Sequence, residues 1–289
     1  MADEAFARAA QTAIDQALAL IRARHESGHV PEHMHYHNSS HTAGVVRRAE
    51  AIGRAMGISE RHLLLTIIAA AYHDVVQRWV PVERMGGIVA RQRLAGRDEV
   101  ASAHEAVEAM AGLGVTFLPE EFGIVASAII ATIPGWDGEA GTVSQPFLVA
   151  HPVVSAVALA DLGAAGMEPD IFVRDGPALF AEENLDLMSA ILGVELAEAV
   201  PAADQERFRS RYINWLSVQP GFASGRRTRM ENGELDGLEP GVRERLLGLF
   251  CGFGRSVALA EDAVARAETL DFVPLMRQLD ERAFPGEPA

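Results

Sequence analysis

Lysine is absent: all 25 basic residues of the 289-residue chain are arginine. That removes the lysine of a phosphate-binding P-loop and the lysine of a Schiff-base enzyme, two large mechanistic classes. It leaves the guanidinium as the cation for any anionic group, and its planar fork suits phosphate oxygens. Cysteine is nearly absent too. Cys251 stands alone, so no disulfide can form within the chain, and a reducing, cytoplasmic compartment is expected. In its apolar context the thiol reads as a packing group, not a nucleophile. Aromatic residues make up only 6%, which leaves Ala, Leu, Val and Ile to build the core and favours helices. Positive charge is in deficit. The formal net charge is −15, whereas nucleic acid and anionic membranes require a basic surface. The segment Met1-Ala2-Asp3-Glu4 is acidic where a signal peptide would be basic. The longest apolar stretch, Phe147 to Met167, contains His151, Pro152 and Asp161, and a carboxylate in its middle argues against a membrane span.

What is present is apolar sequence at helical spacing. Hydrophobic residues are 49% and charged residues 22%, a balance that folds around a large core. The period predicts a first helix over Glu4 to Arg24 and a loop from His29 to Ser40. A helix capped by Ser39 or Ser40 then runs from about His41 to Met56-Gly57. Ser59 starts the next, whose stretch Leu63 to Tyr72 is apolar on all sides and therefore central. Further helices are predicted at Glu99–Leu113, Glu120–Ile133, Pro152–Gly163, Asn184–Glu198, Ala203–Val218, Pro240–Gly252, Arg255–Leu270 and Phe272–Ala283. The one strand-like stretch is Gly141–Phe147, and Val80 to Gly96 has no clear period. The class is all-α. An N-terminal helix (1–28), a core (29–218) and a C-terminal helical extension packed on it (219–289) are expected, with a seam near Pro220-Gly221.

The chemistry-bearing residues are scattered. His41 opens one helix, His73 and Asp74 close the next, and Asp161 lies in Ala156-Val157-Ala158-Leu159-Ala160-Asp161-Leu162. A short Met56-Gly57-Ile58-Ser59 turn favours antiparallel packing, which brings His41 towards His73. A carboxylate in so apolar a setting needs a cation or good donors. Imidazole and carboxylate together suit a divalent metal, and Mn, Fe, Zn, Co and Mg all remain open.

His41, His73-Asp74 and Asp161 resemble the H…HD…D signature of the HD-domain superfamily of metal-dependent phosphohydrolases. The likeness covers roughly residues 30–165 and is sharpened by Tyr36-His37-Asn38 and by Ala69-Ala70-Ala71 ahead of His73-Asp74. It implies an HD-domain helical bundle with additional C-terminal helices. His41, His73, Asp74 and Asp161 would be the metal ligands, Asp74 would also hold the attacking water, and His37 would be the general acid. A small phosphorylated substrate, a monoester or diester such as a nucleotide, is the implied partner. Two departures bear on metal number. The run after His73-Asp74 is Val75-Val76-Gln77, where the phosphodiesterases of this superfamily carry a further His. Ala131-Thr132-Ile133-Pro134 also lacks a His found in many relatives. Asp98-Glu99-x-x-Ser102-Ala103 resembles an acidic element near the metal in some relatives, which makes Glu99 and His104 candidates for a second ion or for holding water. One ion is implied, with a second left open.

Arg174 and the Arg226–Arg229 cluster are candidates for phosphate, although such a cluster is more often a solvated or salt-bridged face. His25, His29, His33 and His35 belong to a His-rich tract that is not placed in the site. His62 and His151 read as structural, and Gly252-Phe253-Gly254-Arg255 as a helix junction. Two other functions remain in view: a di-iron oxygenase on the same fold, which would need His104, and a non-catalytic regulatory module with a structural metal. The C-terminal extension is a candidate partner surface or homodimer interface.

Overall fold

A computed structural model describes residues 2–28, 32–138, 141–149 and 151–287; His29 lies outside them. Helices take up 67% of the chain and strands 7%. Helix α1 (Ala2–Ile21) buries Ala9, Ala13, Ala17 and Ile21, one face at intervals of four residues. Its alanines let it lie close against α3 (Glu60–Tyr72).

Helix α2 (Ser39–Met56) is capped by Asn38, not by Ser39 or Ser40. The Asn38 carboxamide oxygen accepts the N–H groups of Ser40 (2.9 Å) and His41 (3.1 Å), a cap worth ~1 kcal/mol. The helix ends at Gly57, whose φ of 72° suits glycine. Ser59 caps α3 through the N–H of His62 (3.2 Å). Every residue from Leu63 to Tyr72 is buried. The five Leu and Ile side chains among them contribute on the order of 10 kcal/mol of hydrophobic stabilisation. This central rod fixes whatever stands at its end, and what stands there is His73 and Asp74.

A hairpin of β1 (Trp79–Arg84) and β2 (Ile88–Arg93) follows, with Trp79 opposite Arg93. The sequence around Val80 to Gly96 hides it, because the expected all-α character left no place for strands there. Gly86 and Gly87, at φ of 80° and 74°, make its turn. Helices α4 (Arg97–Met110) and α5 (Pro119–Ile130) pack on α3. A second small hairpin, β3 (Gly135–Asp137) with β4 (Thr142–Ser144), includes part of the expected strand at 141–147. Helix α6 (Pro152–Asp161) then lies against α2 and α3. Asp161 is its last residue, so the predicted helix to Gly163 stops two residues early.

The second half contains α7 (Ala164–Met167), α8 (Pro169–Glu183), α9 (Leu185–Leu192), α10 (Ala202–Arg229), α11 (Pro240–Leu249), α12 (Phe253–Thr269) and α13 (Phe272–Met276). Helix α8 falls between the predicted helices at 152–163 and 184–198, and Pro177 lies inside it. Helix α10 runs straight through Pro220-Gly221, so the expected seam there, and with it the boundary at 218/219, falls inside a continuous helix. Two apolar clusters result. One joins α1 to α6 with Ala223, Leu246 and Phe253; the other joins Phe180, α9, Phe208, Tyr212 and the C-terminal Leu275 to Phe284. Helix α10 contributes to both. No described helix is long and apolar enough to cross a membrane.

Candidate metal centre

The N-terminal end of α2, the C-terminal end of α3 and the last residue of α6 meet at one place. His41 Nε2 lies 3.5 Å from Asp74 Oδ2 and 3.5 Å from Asp161 Oδ1. His73 Nε2 lies 3.0 Å from Asp74 Oδ2 and 3.5 Å from Asp161 Oδ1. These are not hydrogen bonds: both Nε2 atoms are buried without a hydrogen-bond partner. Ligand atoms about 2.1 Å from a shared ion stand ~3.0 Å apart at right angles and ~3.4 Å apart at tetrahedral angles. The ligand atoms of His41, His73 and Asp161 all lie within 4.8 Å of one another, which leaves room for an ion among the three; Asp74 Oδ2 adjoins the two imidazoles from the side. Adjacent residues on a helix point about 100° apart, yet His73 and Asp74, directly after the end of α3 at Tyr72, bring Nε2 and Oδ2 to 3.0 Å of each other.

The tautomer of His73 follows from its other ring nitrogen. Nδ1 is 2.8 Å from the Ala70 carbonyl oxygen, which can only accept, so Nδ1 carries the proton and Nε2 presents a lone pair. Without an ion, the electrostatics instead favour protonated rings. Burial on its own would lower the pKa of both imidazoles, but Asp74 and Asp161 outweigh it. His41 is raised, and His73 is raised to about 10. Burial would raise the two carboxylates, yet the imidazoles hold Asp74 and Asp161 well below the usual carboxylate range. The two carboxylates call for positive charge, and a divalent cation would supply it while leaving the ring nitrogens free to ligate.

Asp161 is half-buried because it opens onto a cavity of about 880 Å³ between α2, α6, α8 and α10. Tyr36, His41, Phe172, Trp215, Phe222 and Trp136 help to line it.

The remaining sequence candidates separate. His37 is buried beside the cluster, its ring centroid 5.8 Å from that of His41. Its Nδ1 is 2.5 Å from Glu182 Oε1, and its Nε2 is 2.9 Å from Arg93 Nη1. Arginine only donates, so Nε2 accepts and Nδ1 donates to the carboxylate. Glu99 is buried beside Arg93 and also accepts the Gly96 N–H through Oε2 (2.5 Å). His104 is on the solvent face of α4, with its side chain 72% exposed and Glu108 as its neighbour. It contributes nothing to this centre, because it falls on the face of α4 opposite to buried Ala103 and Ala106. Arg174 is on the cavity wall, exposed and paired with Asp175 at 2.9 Å.

Arg226, Arg227 and Arg229 pair with Glu234, Glu231 and Asp137, a set of internal salt bridges and not a phosphate cradle. His25 lies 3.2 Å from the Val75 carbonyl and His35 lies 3.4 Å from Asp280. Gly252 caps the junction into α12. Cys251 is exposed, against the expectation of a packed thiol, because the chain turns at that junction.

Sequence reading missed three residues here: Glu182, Arg93 and Gln77, whose Nε2 donates to Asp74 Oδ1 at 2.5 Å. Only Gln77 carried a signal, by its place three residues after Asp74.

No family model, curated protein or solved structure matches this chain. The functional reading therefore rests on the residues and their geometry.

Proposed function

We propose that the protein is a metal-dependent phosphohydrolase of the HD type, acting on a small phosphorylated molecule. The observation that carries this reading is the convergence of two bare imidazole nitrogens and two carboxylates beside an open cavity. His41, His73 and Asp161, with Asp74 beside them, would hold a divalent ion, which would supply a Lewis acid and bring the pKa of water towards ~7. The chain's own groups account for the other requirements. Asp161 faces the cavity, so a phosphoryl group entering there meets the centre directly. Asp74 is left with Oδ1 turned away from the ion position, towards Gln77. His37 is oriented through Nδ1 by Glu182, which leaves Nε2 as the atom that hands a proton to a departing oxygen. To do so Nε2 must first release the Arg93 N–H it accepts at rest and take up a proton from solvent, giving an imidazolium that Glu182 stabilises. The aromatic walls suit a leaving group with a flat or apolar body.

The oxygenase alternative calls on His104 as a ligand, and its exposed position on the solvent face of α4 weighs against it.

Metal analysis with hydrolysis of an aryl phosphate tests the proposal. The native protein is expected to contain a divalent ion, to hydrolyse the ester and to lose that activity to a chelator. Asp74→Ala is expected to lower activity at least ~100-fold, the scale on which a positioned catalytic group acts. Circular dichroism checks that the variant folds, and Asp74→Asn, which keeps the side chain's shape, serves as the second variant. Activity unchanged in a folded variant overturns the assignment.

A further inference from the structure

Arg93, the last residue of β2, sends its guanidinium into the interior beside the proposed metal centre. Nη1 is 2.9 Å from His37 Nε2; Nη2 is 3.8 Å from Asp74 Oδ1 and 3.6 Å from Glu99 Oε1. The three groups that surround it are acceptors of the kinds that divalent metals take as ligands. Asp74 is therefore shared: Oδ2 faces His41 and His73, while Oδ1 faces Gln77 and Arg93. Its second side looks at a permanent organic cation where a bridging carboxylate would look at a second ion. Gln77 adds to this. Its amide nitrogen donates to Asp74, which an imidazole lone pair at the same place would not do. Arg93 Nε is buried without a hydrogen-bond partner, so the group is not held there by hydrogen bonding alone; the surrounding negative charge holds it.

We propose that Arg93 is a built-in cation that occupies the place of a second metal ion and limits the centre to one. The guanidinium balances Asp74 and Glu99 without needing ion supply, and its charge persists at any physiological pH. The inference rests on the metal-holding part of the proposed function, not on the phosphate chemistry. Arg93 acts here as a positioning residue that sets the ion count.

The test counts ions. Protein stripped with chelator is titrated with Mn²⁺, bound metal per chain is measured after gel filtration, and electron paramagnetic resonance detects spin-coupled ion pairs. The native protein is expected to bind about one equivalent with no pair signal. Arg93→Ala is expected to bind about two equivalents and to show a coupled pair, as Asp74 Oδ1, Glu99 and His37 become free to ligate. Arg93→Lys restores the cation and returns to about one. Arg93→Met keeps the aliphatic packing and takes the place of the alanine variant if that one does not fold. Two equivalents in the native protein, or one in the folded neutral variants, overturns the inference. So does the absence of tight Mn²⁺ binding throughout. A native chain that takes one ion but hydrolyses no phosphate ester sinks the hydrolase reading and leaves the ion count standing; a hydrolase with two ions does the reverse.

Discussion

Glu182 is completely enclosed, yet none of its oxygens is idle. Oε2 accepts the backbone N–H groups of Tyr36 (2.9 Å) and His37 (3.0 Å), and Oε1 takes the His37 ring proton at 2.5 Å. Burial by itself would raise its pKa, but the His37 ring and these donors outweigh that and lower it from 4.5 to about 2. A depressed folded value means that ionised Glu182 stabilises the fold fully above pH 4.5, and that this contribution is lost as pH falls from 4.5 towards 2. Glu182→Gln is expected to cost ~1–3 kcal/mol at neutral pH, the scale of charge-assisted hydrogen bonds. It should also flatten the fall in stability between about pH 4.5 and pH 3. Urea midpoints over that range check it; parallel curves for native and variant protein would refute the assigned tie.

No sequence signal announces this residue. Ala181-Glu182-Glu183-Asn184 reads as an ordinary polar helix end, and its partners lie 145 and 146 positions earlier. His41, His73, Asp74 and Asp161 stood out because a polar group in apolar sequence needs a reason. Arg93, in the run Arg91-Gln92-Arg93-Leu94, gives no such contrast.

Among the elements, α3 was legible because it is apolar on every side, which only a central helix can satisfy. Helix α8 and the far half of α10 are not, for Pro177 and Pro220 stand inside them and Pro220-Gly221 reads as a seam. Each costs one backbone hydrogen bond, and packing of the half-buried faces around them overrides that local loss. The hairpin of β1 and β2 was hidden as well, since its exposed strands bury few apolar residues. Where elements must hold one another in register, a single side chain often does it. Arg48 on α2 is buried; its Nε donates to the Ala160 carbonyl at 2.8 Å and its Nη1 pairs with Glu168 at 2.6 Å. It thus pins the end of α6 one residue before Asp161. Arg48→Met keeps most of the stem but orphans the carbonyl and the carboxylate. A loss of about 2–3 kcal/mol is expected, together with weaker metal binding, measured by thermal unfolding and by Mn²⁺ titration. Unaltered affinity in the variant would show that α6 is held by its apolar contacts alone.

At the scale of the molecule, α10 contradicts the simplest division of the chain. Its first half places Phe208, Tyr212 and Leu216 in the C-terminal apolar cluster, and Ala223 belongs to the cluster that contains α3. A chain ended after Val218 therefore keeps His41, His73, Asp74 and Asp161 but loses Gln219, Gly221 and Phe222 from the cavity wall. It also loses Leu275, Met276 and Phe284 from the second cluster. Such a chain is expected to aggregate or to unfold without a sharp transition, as followed by calorimetry. A cooperative, soluble core from residues 1–218 would restore the boundary that the sequence pattern favoured.

The cavity sits where these two bodies of apolar packing meet: Phe172 and Phe222 pack against the first, Trp215 against the second. An occupant that touches both walls is a keystone. Each contact it makes raises the work of prising the halves apart, by the ordinary linkage between binding and folding. Occupancy and mechanical integrity are then one property, and the protein is most firmly assembled while something is lodged at its centre.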